Sequence, residues 1–404
     1  MPYNSPSFIT NGYVNQALSF NAAANQSLYT SYIPITNSSF TVDIWLYPTG
    51  YPNVKDHSIV GLCSSRSTSM CLHFTIRNTS SAYYLYMGFM NNDCSSAQTI
   101  TLNRWTHAGF VFDLTTMKQW VYVNGVLSRT CTAQAPIMVN NSNITIGTIP
   151  VLAAPSDNNV FQGYMDQLII SKRAKSACEI LEEATLAARF PFDSGSALVD
   201  YGPNSVSSSA SSYSIISSGH SLQAISFTGS SSSYFQASGF TAFSINNQPF
   251  SISLWVQPQS LSGSLVHLST SSNGAGSWCN SLLGFASNGA LVAQIYDGSI
   301  QSVTASTLLS LSPSWTHVVQ TWSPTSGLRL YVNNVLVASR SSATIFTATG
   351  TTPNYITLAN GRSASGSCAA GAIGVLGPFS GAVDDFRIYS RELTVTDVCA
   401  LYSS

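Results

Sequence analysis

From Ser39 to Leu46 polar and apolar side chains alternate (Ser-Phe-Thr-Val-Asp-Ile-Trp-Leu). A period of two is what a strand with one buried face requires. Phe250-Ser251-Ile252-Ser253-Leu254-Trp255-Val256 repeats that pattern, with Pro48 and Pro258 following at equal distances. His107 to Phe112 and His317 to Trp322 are further strands, rich in β-branched and aromatic residues. Trp120-Val121-Tyr122-Val123 runs into Asn124-Gly125 and then Val126-Leu127-Ser128, the signature of a hairpin with a type I′ turn. Its counterpart turns at Asn333-Asn334, residues that also tolerate positive φ. Helical periodicity is confined to Lys175–Ala188 and a last turn near Thr394–Tyr402. The serine-rich stretch Ser205–Ser218, Ser269–Ser277 and Gly361–Gly377 read as loops.

The matches are systematic. Trp105-Thr106-His107 returns as Trp315-Thr316-His317, Tyr122-Val123-Asn124 as Tyr331-Val332-Asn333, and Gly163 to Ile170 as Gly381 to Ile388, at offsets of about 210 positions. A period this long excludes a solenoid and predicts two whole domains, 1–186 and 187–404. The boundary falls where Ala187-Ala188-Arg189-Phe190-Pro191-Phe192-Asp193 opens a new strand. The first repeat reaches Gln16-Ala17-Leu18-Ser19-Phe20 almost at once, whereas the second reaches Gln223-Ala224-Ile225-Ser226-Phe227 after an opening strand. The first is therefore expected to lack that strand, and either to unfold first or to recruit Tyr3–Ile9 as a substitute.

Composition narrows the function. Only 8% of the 404 residues are charged and the net charge is −1, so no basic footprint for nucleic acid or anionic lipid is present. No run of about 18 apolar residues is long enough for a bilayer-spanning helix. The first residues lack the pattern of a secretory signal, yet the rest reads as extracellular, with the export signal expected outside this piece. Sequons occur at Asn25, Asn37, Asn78, Asn140 and Asn143. Eight cysteines without a Cys-x-x-Cys pair favour disulfides over zinc. Cys63, Cys71, Cys94, Cys131 and Cys178 lie in the first repeat and Cys279, Cys368 and Cys399 in the second. The odd numbers make Cys178–Cys399 the preferred crossing pair, which leaves Cys279–Cys368 within the second repeat.

Taken together, Phe250–Pro258, Trp315–Val318, Tyr331–Asn333 and the ending Gly381–Leu393 resemble the laminin G-like branch of the concanavalin A-like lectin/glucanase superfamily. The resemblance implies an all-β chain of two tandem antiparallel β-sandwich jelly rolls. It also implies a calcium site in the second repeat, at Asp193, Asp200, Asn204 and Asp384, where oxygen ligands suit a hard cation. The alternative is that Asp200 and Asn204 shape a turn and Asp384 accepts backbone hydrogen bonds. The first repeat keeps only Asp166 of this set.

Trp45, Trp105, His107, Trp255, Trp315 and His317 read as core residues of their strands. Trp278, in Gly274-Ala275-Gly276-Ser277-Trp278-Cys279, is the ligand candidate, since a loop indole on a rigid frame stacks on a sugar or anchors a protein. The alternative is that it folds back on its own domain. Trp120 and Arg329 are lesser outward-facing candidates. No catalytic residues are assigned: glycoside hydrolysis needs a carboxylate pair across a cleft, and the four glutamates are Glu179, Glu182, Glu183 and Glu392, none on a cleft-facing strand. The expected function is non-catalytic extracellular recognition of glycans or glycoproteins. The alternative is a structural spacer in which calcium only braces loops.

Overall fold

The computed structural model describes residues 2–52, 55–79, 82–139, 142–152, 159–193, 195–350, 354–362 and 368–404. The chain divides into two compact units, Met1–Ala184 and Thr185–Ser404.

Each unit is a jelly-roll sandwich of two antiparallel sheets. In the first, one sheet runs Val126–Thr132, Lys118–Val123, Thr106–Asp113, Phe40–Pro48, Gly163–Ser171, Ala17–Phe20, Ser7–Ile9. The facing sheet is built around Asp56–Cys63, Cys71–Thr79 and Ala82–Gly88. The second unit repeats the plan, with Phe250–Pro258 between Thr316–Ser323 and Ser380–Tyr389. Strand phase decides what is buried. Phe40, Val42, Ile44 and Leu46 enter the sandwich interior with Phe74, Ile76 and Phe110, while Thr41, Asp43 and Trp45 point to the sheet's other face.

The hairpin turns have the left-handed backbone their residues allow: φ is 51° and 78° at Asn124 and Gly125, and 47° and 63° at Asn333 and Asn334. Asn124 Oδ1 accepts the backbone N–H of His107 at 2.9 Å, and Asn333 Oδ1 that of His317 at 2.9 Å. That tie explains why the Trp-Thr-His and Tyr-Val-Asn blocks recur together.

Several expectations need correction. The first helix spans Ala177–Thr185, not to Ala188, because Leu186–Phe190 is drawn into a strand against Ser380–Tyr389. The serine-rich stretch is not a loop: Ser207–Ser211 and Tyr213–Ile216 are strands, ordered by pairing with Tyr234–Ser238 and Ala224–Thr228 rather than by propensity. Residues Tyr3–Ile9 do not replace an opening strand. Ser7–Ile9 pairs with Ala17–Phe20, as Tyr213–Ile216 pairs with Ala224–Thr228 in the second unit.

The disulfides are Cys63–Cys71, Cys94–Cys131 and Cys279–Cys368. Cys178 and Cys399, the pair the sequence favoured, are free, exposed thiols, each on the helix of its own unit. Each unit closes its pairs internally with one thiol left over, so odd counts did not demand a crossing bridge. Asn25, Asn37 and Asn143 are exposed and Asn78 is half-buried; Asn140 lies outside the described residues.

A candidate binding cleft on the second unit

The outer face of the central sheet carries one constellation in both units. In the second, Trp255 stands on the polar phase of its strand. The His220 ring lies flat on it, with centroids 3.4 Å apart and planes at 9°. His317 packs against the same indole at 4.9 Å and contacts Ser253 Oγ through Nε2 at 2.9 Å. Burial drives the His317 pKa down to about 4, so the ring is neutral at neutral pH. In the first unit Tyr13 stacks on Trp45 at 3.4 Å and 12°, with His107 beside it at 5.3 Å. Trp45, Trp255, His107 and His317 are buried, but on the outer face of the sheet rather than in the sandwich core. Their odd-numbered phase, shared with Asp43 or Ser253, is the sequence signal that separates the two faces.

Asp384 holds the covering loop in place. Its Oδ2 accepts the backbone N–H of Ser221 at 3.0 Å and its Oδ1 that of Asp385 at 2.7 Å. Asp166 does the same for Val14, at 3.1 Å, and Gln167, at 2.9 Å. Burial pushes Asp384 up to about 7 and Asp166 up to about 6, against the pull of these donors.

Beyond this shared frame the units differ. The second opens a cleft of about 90 Å³ lined by Arg189, Asp193, His220, Asp384, Asp385 and Arg387, among others. Asp385 accepts from Arg387 Nη2 at 2.5 Å and from Arg189 Nε at 3.0 Å. Burial works to raise the Asp385 pKa, but the Arg387 pair overrides it and holds the group below the ordinary carboxylate range. In the first unit Gln167 and Ile169 stand where Asp385 and Arg387 stand. There a buried ion network takes over: Lys175 Nζ donates to Asp43 Oδ2 at 2.9 Å and to Glu183 Oε1 at 2.5 Å, tying the helix to the sheet. Burial, reinforced by Glu183, pushes Asp43 up to about 7.

The proposed calcium ligands do not assemble. Asp200 accepts the backbone N–H groups of Arg189, Gly202 and Val206, each at 2.8 Å, and Asn204 Nδ2 donates to the carbonyls of Leu186 and Ala187 at 3.0 and 3.1 Å. These two clamp the opening strand. Asp193 accepts from Gln223 N at 3.2 Å and lines the cleft with Asp384. Among the described residues no group of three or more histidine, cysteine, aspartate or glutamate side chains is placed to hold a metal ion. The donor set does not fit calcium as drawn from the sequence.

Trp278 is half-buried and folds inward, edge-on to Tyr296 at 6.2 Å and Phe346 at 6.3 Å. Trp120 is half-buried against Val111, Tyr122 and Ile180, and Arg329 pairs with Glu392 at 3.2 Å. Trp105 and Trp315 precede their strands and are half-buried rather than core.

Comparison with known proteins places the chain. The Laminin_G_3 family of the concanavalin A-like lectin/glucanase superfamily matches residues 21–181 and 228–399. The chain belongs to this family, once in each unit. No curated protein matches it. Among solved structures it is similar to the binding domain of Paraclostridial Mosquitocidal Protein 1 (18% identity, TM-score 0.39, 55% of this chain and 52% of that one). A putative carbohydrate-binding protein from Bacteroides ovatus matches at 17% identity and TM-score 0.36, over 50% of this chain and 55% of that one. Domain 4 of AbnA, a GH43 extracellular arabinanase from Geobacillus stearothermophilus solved with arabinotriose, matches at 18% and 0.35, over 54% and 98%. The chain spans about half the length of the first two. Family membership rests on the sequence match alone.

Proposed function

We propose that this family member is an extracellular, non-catalytic binding module whose second unit recognises a glycan or the glycan of a glycoprotein. One observation carries the reading. On a scaffold present twice, the second unit combines, in one cleft, a half-exposed His220 ring backed by Trp255 with Arg189, Asp193 and the Asp385–Arg387 pair. A ring face beside fixed planar donors and acceptors suits the apolar face and hydroxyl pairs of a sugar. The low overall charge favours uncharged ligands over sulfated ones.

Three of the four glutamates support binding rather than hydrolysis. Glu179 pairs with Arg173, Glu183 with Lys175 and Glu392 with Arg329, each bracing a helix or strand end. The three disulfides and the exposed sequons support an oxidising, secretory setting. No described helix is long and apolar enough to cross a membrane.

A glycan array tests the proposal. Reproducible binding that falls at least about tenfold in Arg189→Ala and Asp193→Ala, and is unchanged in Trp278→Ala, supports the cleft. Loss in Trp278→Ala alone moves the ligand to that loop. Silence across the array leaves the spacer reading, in which Asp200 and Asn204 serve only to hold the opening strand.

A further inference from the structure

The duplication exposes a surface on the first unit that its own copy covers. In the second unit Ser380–Tyr389 is paired on one side with Phe250–Pro258, apart from a bulge between Ser253 and Trp255. On the other side Ala224–Thr228 covers Ser380–Val383 and the opening strand Leu186–Phe190 covers Phe386–Tyr389. In the first unit the matching strand Gly163–Ser171 has Phe40–Pro48 on one side and Ala17–Phe20 over Gly163–Met165. Its far half, Leu168–Ser171, has no strand on that second side among the described residues.

The side chains register the difference. In the second unit Phe190 and Phe192, fully buried, enter the seam between the sheets. Phe190 packs against Phe235 at 4.8 Å and Phe386 at 6.4 Å, and Phe192 against Phe235 at 5.1 Å. By strand register Phe235, Leu358, Phe386 and Ile388 correspond to Leu28, Ile146, Leu168 and Ile170. The first set is buried; the second is only half-buried against its core. The same apolar seam is present, with no strand paired over Leu168–Ser171 on that side among the described residues.

We infer that the Leu168–Ser171 edge of the first unit is a docking site for an extended peptide carrying large apolar side chains at alternate positions, in the pattern Phe-x-Phe. The peptide adds a strand to the sheet through main-chain hydrogen bonds and seats its two rings between Leu28, Ile146, Leu168 and Ile170. Residues 186–193 are the template. Their register on Phe386–Tyr389 puts Phe190 inward and Arg189 outward, and Phe192, two residues past the strand with a φ of 58°, is buried as well. An unpaired edge over half-buried aliphatic groups is a surface that proteins otherwise protect.

The probe is a fluorescent synthetic peptide of residues 186–193 (Leu-Ala-Ala-Arg-Phe-Pro-Phe-Asp), added to the full chain and followed by polarisation and hydrogen exchange. Saturable binding is expected, with new amide protection at 168–171. Affinity should drop about tenfold or more in Leu168→Ala and in Ile170→Asp, stay unchanged in the outward-facing Ile169→Lys, and vanish for a peptide with both phenylalanines replaced by serine. Leu168→Ala keeps the test valid if Ile170→Asp fails to fold. No saturable binding, protection only at 384–389 by exchange into the second unit, or full protection of 168–171 before peptide is added would each overturn the site.

Discussion

Asp384 and Ser221 lie 163 positions apart, and the carboxylate of the first accepts the backbone N–H of the second at 3.0 Å. That bond fixes the loop that lays His220 on Trp255, and it puts a buried aspartate at the floor of the cleft.

The Asp384 carboxyl has its pKa raised by burial from 3.8 to about 7. The folded protein therefore keeps a proton that the unfolded chain releases above about pH 4. This contribution is complete below pH 4 and is lost as pH rises to about 7, at most about 1.4 kcal/mol per pH unit. Asp384→Asn, neutral throughout, lacks the dependence. Calorimetry of the second transition should show the wild-type advantage over the variant shrinking from pH 4 to 7. Parallel curves would refute the assignment.

His267 acts with the opposite sign. It is fully buried, with Nε2 2.6 Å from the Gly274 carbonyl and Nδ1 2.8 Å from Ser281 Oγ, and burial lowers its pKa from 6.5 to about 4. Its stabilisation is present above pH 6.5 and is lost as pH falls to about 4, roughly 3 kcal/mol over that window. His267→Gln should flatten the acid limb of the second unit's denaturant stability. An unchanged acid limb would show that the imidazole is protonated in place.

Asp200→Ala should destabilise the second unit by about 2–4 kcal/mol, because three backbone donors lose their acceptor at once and the opening strand loses its clamp. Urea titration checks this. A change below about 0.5 kcal/mol would mean that water replaces the carboxylate.

EDTA should leave both melting transitions where they are, since Asp193, Asp200, Asn204 and Asp384 are engaged with separate partners. Added calcium that raised the second transition would show instead that the four converge on an ion.

Ellman's reagent should find two reactive thiols per native chain, Cys178 and Cys399, both exposed. Replacing both with serine should change stability by no more than about 0.5 kcal/mol, as expected for surface sites. A large loss, or no reactive thiol, would restore the bridge.

Much of the fold was legible in local pattern. Alternation at Phe40–Leu46 and its copy marks which side chains enter the core, the Asn124-Gly125 turn follows from the φ each residue tolerates, and blocks recurring at one offset imply two like domains. The first two depend on residues a few positions apart and the third on matching the chain against itself, so the sequence carries all three directly. Tertiary structure alone decided that Asp200 clamps a strand instead of joining Asp384, that Trp278 turns inward, that each helix keeps a lone thiol, and that Leu168 lies beside an uncovered seam. Each depends on which distant segment fills a given space, as when Asp166 meets Val14 across 152 positions, and only the packed chain settles that competition.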